Sequence, residues 1–449
     1  MLNPQWMVRV FLFVAVLMSS TAFTACFGSS DAEAPEEVAQ DAAPAVVITP
    51  TPSPSPTAQT ASVARGAIVH TPPPAANEPA LIIWVDAPLA PLFQNLAASF
   101  EVEYGLKITV IEKGLVQIES ELVTADPAKE TPDILIGSSI NVAPMVDKGL
   151  LHEVRLDNRV AEFDPNALQA MRVNGKLYGL SYTAETVALI YNPNMVAKAP
   201  TSWSDLRAMS ATLKDSGRGE YGLVLQSNEP RQFQPILTAF GGFLFGNGAE
   251  GNLDIANVGI DSAGALAAGA WLEDMKQAGL LLSAADVDEM YSAFASGRAA
   301  MMIGDAEMAG RLRSAGAAYA VAALPHEVAE SQPLLTARAL MISAASRDPD
   351  LAQTFLTEFM ATPENMQAIY AADPRPSAYL PVLDALENNE LRFFTSLAEN
   401  IQIAPTIPAF PAAWAIWTEA LNQVIGQGEP AETIFTQAAA QIRAAVETQ

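Results

Sequence analysis

Carboxylates at the ends of apolar runs are the residues of this chain best placed to do chemistry. Asp86 follows Leu81-Ile82-Ile83-Trp84-Val85, Glu185 precedes Val187-Ala188-Leu189-Ile190-Tyr191, and Glu229-Pro230-Arg231 lies just beyond Gly222–Gln226. Asp305 and Glu307 follow Ala299–Gly304. A carboxylate accepts hydrogen bonds on both oxygens at once, which suits a ligand rich in donors. Two carboxyls about 5–9.5 Å apart could instead cleave a glycosidic bond, and Asp86, Glu185 and Glu229 are the candidates for that chemistry. Trp414 and Trp417 share a helical stripe with Leu421 and Val424, so each is either core or a platform for a flat ligand face. Plainer roles are open to several of these residues. Asp305 can cap the next helix, and Glu229 can pair with Arg231 on a loop.

Other chemistries start poorly supplied. One cysteine forbids an internal disulfide and a multi-cysteine metal site, and the histidines, His70, His152 and His326, are isolated. No cofactor or metal is expected. Lys plus Arg number 24 against 50 Asp plus Glu, a net charge of −26 that repels nucleic-acid backbones. With 449 residues, 50% of them apolar, the chain has ample material for large cores.

The elements that must position these residues begin at Ala80. Before it, Arg9 precedes the apolar run Val10–Met18, too short to span a bilayer but suited to a signal peptide. Phe23-Thr24-Ala25-Cys26 resembles a bacterial lipobox, so residues 1–25 read as a lipoprotein signal peptide and Cys26 as the lipid attachment site. Residues 26–79 follow as a Pro/Thr/Ser-rich tether without an apolar face, rich in runs such as Thr49-Pro50-Thr51-Pro52.

From Ala80 strands and helices alternate. Leu81–Val85, Lys107–Ile111 and Asp133–Gly137 read as strands, with Leu89, Phe93, Leu96 and Phe100 at helical spacing between the first two and Gly105 as a stop. This is the grammar of a parallel α/β sheet, whose ligands sit beyond the carboxyl ends of the strands. Ser202-Trp203-Ser204-Asp205 predicts a capped helix start, and Asp348-Pro349 another, launching a helix that buries Leu351, Phe355 and Phe359.

The order of these segments resembles the family 1 solute-binding proteins of bacterial ABC importers, in their maltose- and maltodextrin-binding branch. The resemblance runs from Ala80 to Gln449 and rests on nine pieces in order. They include Leu81–Val85, Thr131-Pro132-Asp133-Ile134, Asn174-Gly175-Lys176-Leu177-Tyr178-Gly179, Glu185–Asn192, Phe294–Met302 and Ile407-Pro408 to Trp414. It implies an α/β, periplasmic-binding-protein type II fold of two discontinuous lobes. These are residues 80–184 plus about 337–388, and 185–336 plus about 389–449, with crossings near Thr183-Ala184, Leu335–Arg338 and Leu386–Arg392. A ligand would lie in the cleft between them and be enclosed by hinge closure.

The resemblance further implies ligand contacts at Asp86, Asn141, Glu185, Glu229, Pro230, Arg231, Glu307 and Trp414. Several positions depart from the family's maltose contacts. Asp86 stands for an asparagine, Arg231 and Glu307 for aromatics, Gly137 for a tryptophan, Ile140-Asn141 for an Asp-Arg pair, and Thr418 for an arginine. The implied function is that of a non-enzymatic, monomeric lipoprotein at the extracytoplasmic membrane surface, which captures a carbohydrate and hands it to permease subunits. A cationic solute, such as a polyamine or amino sugar, is the alternative ligand, and a glycan-binding adhesion role the alternative class.

Overall fold

A computed structural model describes residues 46–47, 79–124, 131–248, 253–387 and 389–447. The residues read as signal peptide, Cys26 and nearly all of those read as tether therefore lie outside the described residues. Val46 and Val47 are the exception within the span read as tether: they form a short strand antiparallel to Ala320–Ala322.

The first sheet runs Ile108–Glu112, Leu81–Val85, Ile134–Ser138, Arg338–Ser343, Leu151–His152. Its first three strands are parallel, and Arg338–Ser343 enters antiparallel from far along the chain. All five residues of Leu81–Val85 are buried, as a parallel strand covered on both faces requires. The crossover helix Ala90–Tyr104 opens with Pro91 in its first turn and stops where Gly105, at φ 70°, returns its N–H to the Glu101 carbonyl.

The second sheet runs Val46–Val47, Ala320–Ala322, Val187–Tyr191, Ala299–Asp305, Tyr221–Gln226, Leu281–Ala284. Val187, Leu189 and Tyr191 pack into one apolar cluster with Trp203, Phe233, Trp417 and Phe435, while Ala188 and Ile190 pack into another with Phe294, Met302 and Leu312. The period of two that sends alternate side chains to opposite faces thus feeds two cores from one strand. A separate cluster around Leu81, Phe93, Phe100, Ile136, Leu340 and Phe355 covers the first sheet.

Both anticipated helix caps form. The Ser202 hydroxyl accepts the Asp205 N–H at 2.9 Å, and Asp348 accepts that of Leu351 at 2.9 Å. Past Thr354 the second helix widens into a π turn, Phe355–Met360, which still buries Phe355 and Phe359.

The chain leaves the first sheet at Leu180–Ser181, which pairs with Arg338–Ser343, enters the second at Val187–Tyr191, and returns between Ala322 and Arg338. The two passages bridge each other at Glu185 and Thr336, and Thr183 bridges Ser377. Alongside them Leu334–Leu335 pairs in parallel with Gln402–Ile403.

Candidate functional site

Glu185 sits on the first of these passages and is 6% exposed. Its neighbours arrive from both sheets. One carboxylate oxygen receives the Thr183 hydroxyl at 3.0 Å and Arg338 Nε at 3.4 Å; the other receives Arg375 Nη1 at 2.9 Å, with Arg231 Nη1 at 4.0 Å. Burial works against ionising Glu185, yet Arg375, then Arg338 and Arg231, hold its carboxyl below the usual carboxylate range.

Each guanidinium is shared further. Arg338 Nη1 donates to Asp86 at 3.1 Å. Arg375 donates from Nε to Asp373 at 2.8 Å and from Nη2 to Glu307 at 2.6 Å. Arg231 lies 3.2 Å from Glu229 and 3.9 Å from Asp305. Asp86, Arg338, Asp373 and Arg375 come from elements around the first sheet, and Arg231, Glu229, Asp305 and Glu307 from elements around the second.

Local structure explains why these side chains point inward. Asp86 ends its strand, but its side chain does not cap the following helix: the N-cap is Leu89, and the Asp86 carbonyl accepts the N–H groups of Leu89 and Ala90. The carboxylate, only 7% exposed, is left for Arg338. Burial first, and then the neighbouring Asp373 charge, push its carboxyl up against the pull of Arg338. Glu229 caps the helix Pro230–Ala239 and grips Arg231 in the same turn, with Pro230 buried at the first helical position. Asp305 caps Ala306–Ser314 through the Met308 N–H at 3.0 Å, which leaves Glu307 in the first turn free to reach Arg375.

Asn141 stands apart from this network. Its amide donates to Glu119, whose other oxygen takes the Ser138 N–H at 3.3 Å. Both line a cavity of about 730 Å³ with Ser120, Pro408 and Pro411. Burial pushes the Glu119 carboxyl up to about 6 despite these two hydrogen bonds. Trp414 is half-buried on the helix Phe410–Leu421, its ring 5.6 Å from Phe410 and 6.1 Å from Trp417, and this helix packs on the helix Ser139–Asp147 that carries Asn141. At Gly137 a Cβ would come within 2.6 Å of the Met341 side chain, so no aromatic platform fits there without displacing core.

A model of the family described as bacterial extracellular solute-binding protein matches residues 95–401. The chain belongs to this family. The galactooligosaccharide-binding protein of Bacillus subtilis is 24% identical over 374 residues, which cover 79% of this chain and 86% of that protein. The maltotriose-binding protein of Pyrococcus abyssi is 25% identical, covering 73% and 72% of the two chains. A maltooligosaccharide ABC transporter solute-binding lipoprotein of Streptococcus pneumoniae is 23% identical, covering 77% and 82%.

As a solute-binding protein of this family, the chain carries groups that the strand-end reading passed over: Arg338, Arg375, Asp373, Tyr182, Thr183 and Glu119. Three of them left a trace. Arg338 is a lone cation opening the apolar run Ala339–Ile342, and Asp373-Pro374-Arg375-Pro376 alternates an acid and a base with two prolines. Tyr182, by contrast, looks like any core aromatic. Among the described residues no group of three His, Cys, Asp or Glu side chains is placed to hold a metal ion, and no helix is long and apolar enough to cross a membrane.

Proposed function

We propose that this solute-binding protein captures a carbohydrate, an oligosaccharide of the maltodextrin or galactooligosaccharide type, and delivers it to the permease of an ABC importer. The observation that carries the reading is the meeting at Glu185 of polar side chains from both sheets, on the passages that connect them. A ligand held there touches both bodies at once, so binding energy can favour their closed arrangement over an open one. The names of the relatives support a sugar as that ligand. In this reading the lobes are residues 80–184 with about 337–388, and 185–336 with about 389–449. Cys26 carries the lipid that anchors the protein outside the cytoplasmic membrane.

Carboxylates and guanidiniums supply acceptors and donors for sugar hydroxyls, and the exposed part of Trp414 supplies an apolar face. Catalysis is not part of the proposal. Asp86, Glu185 and Glu229 are each engaged by an arginine, so no pair of them stands free to flank a glycosidic bond. A calorimetric titration of the full chain with maltotriose, longer maltodextrins and galactooligosaccharides tests the reading. Saturable binding with a more compact solution-scattering profile is expected; no binding across the series would overturn it.

A further inference from the structure

The charges of the network do not balance. Six carboxylates, Asp86, Glu185, Glu229, Asp305, Glu307 and Asp373, face three guanidiniums, Arg231, Arg338 and Arg375. Such an excess is tolerable where solvent reaches, as at Glu307, but costly where it does not. Asp86 and Asp373 are 7% and 6% exposed, and each uses one oxygen on an arginine, Asp86 Oδ2 on Arg338 and Asp373 Oδ1 on Arg375. Their other oxygens, Asp86 Oδ1 and Asp373 Oδ2, are buried without a hydrogen-bond partner, and so is the hydroxyl of Tyr182, 2% exposed. The two aspartates flank Glu185 through the two arginines that share it, and the charges of both act on the Tyr182 hydroxyl.

Three buried oxygens of one neighbourhood therefore lack a donor, in a site with too few cations. A sugar hydroxyl supplies a single donor and no charge. An ammonium group supplies three donors and one positive charge. A carboxylate-bearing ligand is disfavoured, because every guanidinium here already holds at least two carboxylates.

We propose that the cleft takes an ammonium-bearing carbohydrate, an amino sugar or an aminated oligosaccharide, whose ammonium is received by Asp86 Oδ1 and Asp373 Oδ2 beside the Tyr182 hydroxyl. This rests on the carbohydrate reading above and narrows it. All three oxygens are covered in the present arrangement, so the ligand reaches them when the two sheet bodies part and is enclosed when they return.

The test is calorimetry of the full chain with matched probes: chitotriose, its fully N-acetylated counterpart, maltotriose, and spermidine as an ammonium carrier without a sugar. Chitotriose is expected to bind at least about tenfold more tightly than the acetylated or neutral trimer, a difference of one charged contact. Its affinity should fall several-fold between about 50 and about 500 mM salt, as charge attraction is screened. Asp373→Asn should remove most of the preference for chitotriose over its acetylated counterpart. If that variant misfolds, the comparison of chitotriose with its acetylated form on the unaltered chain still decides. Equal binding of the two, or tighter binding of maltotriose, would overturn the ammonium seat and leave carbohydrate capture standing. Binding of spermidine with no trimer bound would overturn the carbohydrate reading, and the amino-sugar proposal with it.

Discussion

Arg375 ties the two sheet bodies together: Nη1 donates to Glu185 at 2.9 Å on the passage between the sheets, and Nη2 to Glu307 at 2.6 Å in the first turn of a helix beside the second sheet. The two contacts differ in environment. The Glu307 side chain is 46% exposed, and an ion pair so open contributes about 0.2–1 kcal/mol. Glu307→Gln should accordingly lower the melting temperature by no more than about 2 °C while raising the radius of gyration of the unliganded protein, since it loosens only the outer half of the tie. A large loss of stability with unchanged scattering would make Glu307 part of the framework instead.

The inner half behaves otherwise. Glu185→Gln removes the carboxylate on which three guanidiniums converge, and an uncompensated buried charge costs about 3–5 kcal/mol. Because the folded-state pKa of Glu185 lies below its unfolded value, its contribution is present above about pH 4.3 and is lost as pH falls through the folded pKa. Urea unfolding of the wild type and of Glu185→Gln should therefore converge toward acid pH and diverge at neutrality.

Glu119 has the opposite sign. Its pKa rises from 4.5 to about 6 on folding, so between those values the native state binds more protons than the unfolded one, and stability from this group falls as pH rises. By pH 7 the cost reaches about 2 kcal/mol, the size of that shift. Glu119→Gln, which removes the charge and keeps one acceptor oxygen for the Ser138 N–H, should recover part of it at pH 7 and little at pH 4.5. Denaturant midpoints at the two pH values check this, and equal gains at both would show that ionisation is not the cause.

How much of this was legible beforehand depended on where the signal resides. Leu81–Val85 and Val187–Tyr191 are recognisable because a buried strand writes itself as a continuous apolar run, and the Ser202 and Asp348 caps because their partners lie three residues away. Asp86 stood out as a charge at the end of such a run, and Glu185 through the family resemblance. Their partners did not, because Arg338 is 252 residues from Asp86 and Arg375 is 190 from Glu185, a juxtaposition made only by the antiparallel entry of Arg338–Ser343 and the bridge of Thr183 with Ser377. Local pattern carries elements and caps; it carries no information about which distant cation neutralises a strand-end carboxylate.

The leader should be separable from the ligand site. Cys26→Ser is expected to move the protein from the membrane fraction to the soluble fraction with ligand affinity unchanged. A chain beginning at Pro79 should bind equally well, although it loses the pairing of Val46–Val47 with the edge at Ala320–Ala322. Retention of the serine variant in membranes would place the anchor elsewhere, and loss of binding by the shortened chain would make the Val46–Val47 strand part of the binding body.

Trp414 and Trp417 lie on one helix with their rings 6.1 Å apart, and they offer the cleanest separation of binding from folding. Trp417 is fully buried against Phe233 and its neighbours, so Trp417→Ala should cost about 3–5 kcal/mol of stability, the usual penalty for deleting a core aromatic. Trp414 is half-buried at the margin of the same cluster, and Trp414→Ala should cost a good deal less. If its exposed edge is the apolar face for a sugar ring, that same variant should weaken binding by about 1–3 kcal/mol, or roughly five- to a hundredfold. Thermal melting and titration with the tightest ligand of the sugar series read the two quantities independently. A Trp414→Ala protein that binds at full strength would remove the ring from the site and leave recognition to the polar network around Glu185.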